Sequence, residues 1–192
     1  MDIGKAFVDA WNIYVKNFVI IILAGIVAMI LGILVAPLVG FQMMFVKAKR
    51  GEAISFNDIF APFSKFIPLA LGAAWIFILL CLAFFPMAIA FWLNWNWLGM
   101  ILTVAAIVWD IYVGVGWLFA LLLIYEKGLG INAALKASRE IVGKNNWWLV
   151  FLLVILAGFV SGLGNIAWGI GAILTMPLGT GAIACAYAEA AK

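Results

Sequence analysis

Five long apolar runs, 17–46, 66–91, 97–125, 145–164 and 166–188, are separated by short polar stretches. At 1.5 Å of rise per residue, about 20 helical residues cross a hydrocarbon core roughly 30 Å thick, so most of these runs are long enough to span a membrane. A transmembrane β-barrel would show segments of about ten residues with alternating polarity. Phe18 to Gly32 and Trp147 to Phe159 are instead apolar on every side. Helices remain as the way to satisfy a backbone in lipid. The expected fold is all-α: a polytopic transmembrane helical bundle occupying residues 1–192 as a single domain.

The polar stretches carry a helical period of their own. In residues 2–16, Ile3, Phe7, Trp11 and Tyr14 share one face, and Asp2, Lys5, Asp9, Asn12 and Lys16 lie elsewhere. In 131–144, Ile131, Ala134, Leu135, Ser138, Ile141 and Val142 oppose Asn132, Lys136, Arg139, Glu140 and Lys144. Both read as amphipathic helices in the membrane interface. Between them, Ser55 with Asp58 three residues on is an N-cap signal, followed by Ile59, Phe60 and Phe63 until Pro62 disturbs the helix. Three interfacial segments thus precede three apolar regions.

The first and last regions also look alike. Val15-Lys16-Asn17 parallels Gly143-Lys144-Asn145, Ile22-Leu23-Ala24-Gly25 parallels Ile155-Leu156-Ala157-Gly158, and Pro37-Leu38 parallels Pro177-Leu178. The conserved order points to a degenerate internal repeat of 6–47 and 134–188.

Residues 145–188 read as a helical hairpin turning at Ser161-Gly162-Leu163-Gly164-Asn165, and 66–126 as a longer one turning at Trp92-Leu93-Asn94-Trp95-Asn96-Trp97. Lys47, Lys49, Arg50 and Lys65 fall in one loop and Lys127, Lys136, Arg139 and Lys144 in another, whereas neither hairpin turn carries a charge. The positive-inside rule then puts both basic loops and the C-terminus in the cytoplasm, and Lys5 and Lys16 favour a cytoplasmic N-terminus. With both ends inside, 17–46 must enter and return on one side, as two limbs of roughly 14 residues and about 21 Å each turning near Leu31 to Val35. That gives six segments. A single long helix kinked at Pro37 is the alternative, giving five.

Composition agrees with a membrane protein: 69% of the 192 residues are hydrophobic and 10% charged, against about half and a quarter in soluble domains. The net charge of +3 is accounted for by cytoplasmic loops and needs no nucleic-acid partner. Histidine is absent, and Cys81 and Cys185 stand in separate apolar runs. They read as packing residues rather than metal ligands or a disulfide, and no cofactor is indicated. The first residues lack a cleavable signal pattern.

Lys16-Asn17, Pro37-Leu38 with Gly40, Arg50-Gly51-Glu52 followed by Phe56-Asn57-Asp58-Ile59-Phe60, Phe85-Pro86, Ala134-Leu135-Lys136-Ala137-Ser138 and Lys144-Asn145 together resemble the YciC-like or DUF975-like small bacterial membrane proteins. They are also similar to the membrane domain fused to some glycerophosphodiester phosphodiesterases. The resemblance implies a bundle of about six helical segments with cytoplasmic amphipathic connectors. It implies no catalytic residues, because the phosphodiesterase activity belongs to a separate soluble domain.

Asp110 is the most pointed residue. It follows the aromatic turn by about 13 residues, near 20 Å along a helix and deep in hydrocarbon, where an ionised carboxylate costs roughly 3 kcal/mol on insertion scales. It reads either as a relay or ligand contact, or as a structural acid bonded to a backbone carbonyl or to Thr103, Tyr112 or Thr175. Glu126 beside Lys127 reads as an ordinary edge residue. Gly158, Gly162, Gly164, Gly169, Gly171, Gly179 and Gly181 suggest close-packing faces on the last two helices. Trp92, Trp95, Trp97, Trp147 and Trp148 suit interfacial belts, and Trp109 lies within a crossing, where it packs the bundle or touches lipid or a neighbouring helix.

Without histidine there is no Ser/His/Asp set, and carboxylate pairs and phosphate cradles are missing too. A non-enzymatic accessory or scaffold subunit of an inner-membrane assembly is expected, contacting lipids and other integral membrane proteins. The alternatives are a small transporter or lipid-handling protein centred on Asp110, and an interfacial lipid sensor using 2–16 and 131–144.

Overall fold

The Asp2 carboxylate accepts a hydrogen bond from the Lys5 amide and starts α1 (Ile3–Lys16). The computed structural model describes residues 1–164 and 171–191, and among these it is helical with no strand. After α1 the axis turns by 104° into α2 (Phe18–Leu31). A short 3-10 segment and Val35, with φ of 62°, then reverse the chain into α3 (Ala36–Lys49). A Cβ placed on Gly25 would lie 3.7 Å from the Phe41 ring, so the two helices lie side by side. Residues 17–46 are therefore two helices joined at the expected turn, not one helix kinked at Pro37.

Ser55 and Asp58 form a reciprocal capping box at the start of a 3-10 stretch, Phe56–Lys65, that contains Pro62. Proline lacks the amide needed to continue an α ladder, which suits a local departure from α winding. The chain continues as α4 (Phe66–Ala83) and α5 (Phe85–Trp92), turns at Leu93 to Trp95, and returns as α6 (Asn96–Gly116) and α7 (Ala120–Lys127). Next come α8 (Ile131–Lys144), a 99° turn, α9 (Trp147–Leu163) and α10 (Ala172–Ala190).

Among the described residues two helical stretches, Phe56–Trp92 and Asn96–Lys127, are long and apolar enough to cross a membrane, and counting each bent pair as one span gives up to four. The two corners close alike. Asn17 donates its side-chain amide to the Ile13 carbonyl at 3.1 Å, and Asn145 donates to the Ile141 carbonyl at 2.9 Å.

The core surrounds α10, which packs against α9, α1, α3 and α2 and buries Gly179, Gly181, Ala182, Ala184, Cys185, Ala186 and Tyr187. Small side chains let neighbouring backbones approach, which is how helices gain contact where lipid removes the hydrophobic drive. The inward face of α1 follows from this. Ala6, Ala10 and Tyr14 are buried on it, whereas Trp11, on the apolar face read in residues 2–16, is 54% exposed. The face expected for 131–144 does turn inward, with Ala134, Leu135, Ser138 and Val142 buried.

Candidate functional site

One end of the bundle collects most of the paired charge. Lys49 of α3 pairs with Asp9 of α1, and Lys47 meets Asp58 at 2.8 Å. Arg50 meets Glu126 of α7 at 2.5 Å, and the Tyr187 hydroxyl of α10 donates to the same carboxylate. Lys65 donates to the Tyr125 carbonyl at 2.8 Å. The Glu126 hydrogen bond holds the Arg50 guanidinium above its ordinary pKa, against the opposing effect of burial. Glu126 is thus a junction of three helices and not the solvated edge residue its sequence neighbourhood suggests. The available signal was an acid ending one apolar run and an arginine ending another.

Asp110 lies on α6 in line with Thr103, Ala106 and Val113, spaced three or four residues apart on the side that packs inward. One of its carboxylate oxygens is buried and accepts no hydrogen bond among the described residues. The expected hydroxyl partners are engaged elsewhere or absent. Thr103 donates to the Gly99 carbonyl at 2.7 Å, Thr175 donates to the Ser161 carbonyl at 2.9 Å, and Tyr112 is 57% exposed with no hydroxyl bond to Asp110 among the described residues. Among the same residues no cluster of three or more His, Cys, Asp or Glu is positioned to hold a metal ion.

Trp92, Trp95, Trp97, Trp109 and Trp148 are all exposed. Trp147 is half-buried, stacked between Tyr112 and Phe151, and donates its indole N–H to the Tyr112 carbonyl at 3.2 Å. Cys81 is exposed, contrary to the packing role expected, and Cys185 is buried.

The glycines divide by direction. A Cβ on Gly158 or Gly162 would meet nothing within 4 Å among the described residues, so these two do not make the close contact expected of them. A Cβ built on Gly171 would lie 2.6 Å from the Gly164 carbonyl oxygen, and one built on Gly179 would lie 2.3 Å from the Ala157 carbonyl oxygen. Ser161 to Leu163, expected in the turn, still belong to α9, and Asn165 and Gly169 lie outside the described residues.

A second constellation lies where α6, α8 and α9 meet. Arg139 of α8 spreads over the Trp117 ring at 5.0 Å, beside a cavity of about 160 Å³ that it lines with Gly116, Tyr112, Gly143 and Trp147. Tyr112 and Trp147 also line an adjoining apolar groove of about 400 Å³ with Val108, Ile111, Trp148 and Phe151. No family model matches the chain, and neither a curated protein nor a solved structure matches it.

Proposed function

We propose that the chain is a non-enzymatic accessory or scaffold subunit of a bacterial inner-membrane assembly, with both termini on the cytoplasmic side. Asp110 carries this reading: its side chain is only half-buried and so open to a neighbour, and among the described residues the chain supplies no partner for its buried oxygen. Lipid covers the exposed apolar faces of α4 and α6 at no cost, because acyl chains are as apolar as leucine. Lipid has no donor for a carboxyl group in the hydrocarbon, and an unmet acceptor there is expensive. A neighbouring helix bearing a hydroxyl, amide or basic group supplies the missing donor.

Support for the sidedness comes from the charged end of the bundle, where α1 and the last turns of α3, α7 and α10 meet through Asp9, Lys49, Arg50, Glu126 and Tyr187. The matching bends of α1–α2 and α8–α9, with their corner asparagines, support the internal repeat. The YciC-like resemblance remains part of the same proposal.

The test is gentle extraction from the native membrane followed by mass spectrometry of intact complexes. A stoichiometric membrane partner retained by the wild type and depleted at least severalfold in Asp110→Leu is the expected result. A partner held equally by both, or no partner at all, overturns the role given to Asp110.

A second reading, a lipid-handling protein, is favoured by the basic cavity and the apolar groove that share Tyr112 and Trp147 between α6, α8 and α9.

A further inference from the structure

Arg139 differs from the other arginine, Arg50, in having no carboxylate partner: among the described residues it is in no ion pair and donates no hydrogen bond. Its position is nevertheless fixed. The neighbouring Ser138 is fully buried, donates its hydroxyl to the Gly116 carbonyl at 2.8 Å and accepts the Phe119 amide at 3.2 Å, which ties α8 to the break between α6 and α7. The Arg139 stem packs on Gly116, where a Cβ would approach it to 3.4 Å, and the guanidinium lies over the Trp117 ring, 5.0 Å from its centroid. A contact to a ring face consumes none of the guanidinium N–H donors, which suit a phosphate. Lys136 lies one turn earlier on the same side of α8, also without an ion-pair partner among the described residues.

The cavity at Arg139 is larger than one water requires. Tyr112 and Trp147, which line it, also line the groove of Val108, Ile111, Trp148 and Phe151. A free phosphate fills the first space and has no use for the second. An apolar helix fills the second and leaves the arginine unmet. A molecule with an anionic phosphate at one end and a hydrocarbon chain at the other fits both.

We infer that the α6–α8–α9 corner binds one anionic phospholipid, its phosphate against Arg139 and an acyl chain along Trp148 and Phe151. The site sits beside a basic, amphipathic helix, where cytoplasmic-leaflet lipids carry their negative charge. It is independent of Asp110 and of any protein partner.

Native mass spectrometry of the full chain in a mild detergent tests this, with phosphatidylglycerol and phosphatidylcholine of identical acyl chains as probes and glycerol 1-phosphate as competitor. The wild type should retain one phosphatidylglycerol in preference to phosphatidylcholine. Arg139→Gln should lower phosphatidylglycerol affinity roughly tenfold, the worth of a charge-assisted contact, and abolish the preference. Lys5→Gln should change neither. Trp148→Ala, at a position 70% exposed and so tolerant of truncation, should weaken retention roughly fivefold while keeping the preference. Equal retention of both lipids by the wild type, unchanged binding in both variants, or displacement by glycerol 1-phosphate at the concentration at which the lipid binds would each overturn the proposal.

Discussion

The Arg50 guanidinium and the Glu126 carboxylate meet at 2.5 Å, and the Tyr187 hydroxyl donates to that carboxylate from the helix at the centre of the bundle. The two partners of Glu126 are not equivalent. The Arg50 side chain is 34% exposed and can regain water when its carboxylate is lost. Tyr187 is fully buried and cannot. Glu126→Ala should therefore lower stability by about 1–3 kcal/mol, mostly through the stranded hydroxyl. Glu126→Gln, which keeps an acceptor, should lower it by only about 0–1 kcal/mol. Denaturant unfolding of the purified protein in one detergent measures both. Equal losses would mean that the charge, and not the hydroxyl, carries the junction.

A second prediction separates the glycines. A methyl group on Gly179 would meet the backbone carbonyl of Ala157 at 2.3 Å, and that group cannot rotate away. Gly179→Ala should push α9 from α10 and cost about 1–3 kcal/mol. Gly158→Ala adds a methyl where nothing described lies within 4 Å, and its helix gains about 0.5–1 kcal/mol in intrinsic propensity. Thermal midpoints of the two variants in the same detergent should move in opposite directions. A fall in both would place an additional packing surface at Gly158.

These pairs show which features of the fold sequence patterns express. The Ser55–Asp58 box is local, three residues apart, and was readable as a cap before any tertiary contact was known. The turn between Leu31 and Val35 followed from length, because thirty apolar residues whose ends share one side must reverse near the middle. The inward face of α8 was legible because the α-helical period separates its aliphatic residues from its charges. On α1 the period grouped Trp11 with Ile3, Phe7 and Tyr14, but it is Ala6 and Ala10, with Tyr14, that are buried, because small side chains admit α10 closely. The roles of Gly158, Gly162, Gly164 and Gly171 depend on which way each points, and composition carries no direction. Glu126 and Arg139 acquire their surroundings from helices distant in sequence, so neither the three-way junction nor the cavity had a local signature.

Val35 reverses the chain between α2 and α3 with φ of 62° and ψ of −44°. A β-branched side chain is strained at positive φ, whereas glycine is not. The half-buried side chain returns part of that cost through packing on the core. Val35→Gly should still raise stability by about 1 kcal/mol. Val35→Ile, which keeps the branching and adds a methylene, should give no such gain. A destabilised Val35→Gly protein would show that packing outweighs backbone strain at this turn.

Asp110 should reveal itself through the contrast between the isolated chain and its assembly. Among the described residues of the chain its buried oxygen has no bond to lose. Asp110→Leu removes a desolvated polar group and should leave the detergent-purified protein as stable or more stable by about 1–2 kcal/mol. The same substitution should weaken retention of the membrane partner. Loss of stability in the isolated protein would instead make Asp110 an internal structural acid.

The side of each terminus follows from a chain of contacts, each of which constrains the next. Asp9 on α1 pairs with Lys49 at the end of α3, Arg50 beside it reaches Glu126 at the end of α7, and Glu126 accepts from Tyr187 near the end of α10. On the proposed topology, residue 2, the basic loop after α3 and the C-terminal turn lie on one side of the membrane. Trp92, 81% exposed at the uncharged turn between α5 and α6, lies far along the α4–α5 stretch from that end. With Cys81 and Cys185 replaced by alanine, Asp2→Cys should resist an impermeant thiol reagent added outside intact cells, and Trp92→Cys should react with it. Permeabilised cells should label both. Labelling of Asp2→Cys in intact cells would break the shared-side argument at its first link, because it would put α1 outside while basic residues hold Lys47 to Lys65 inside.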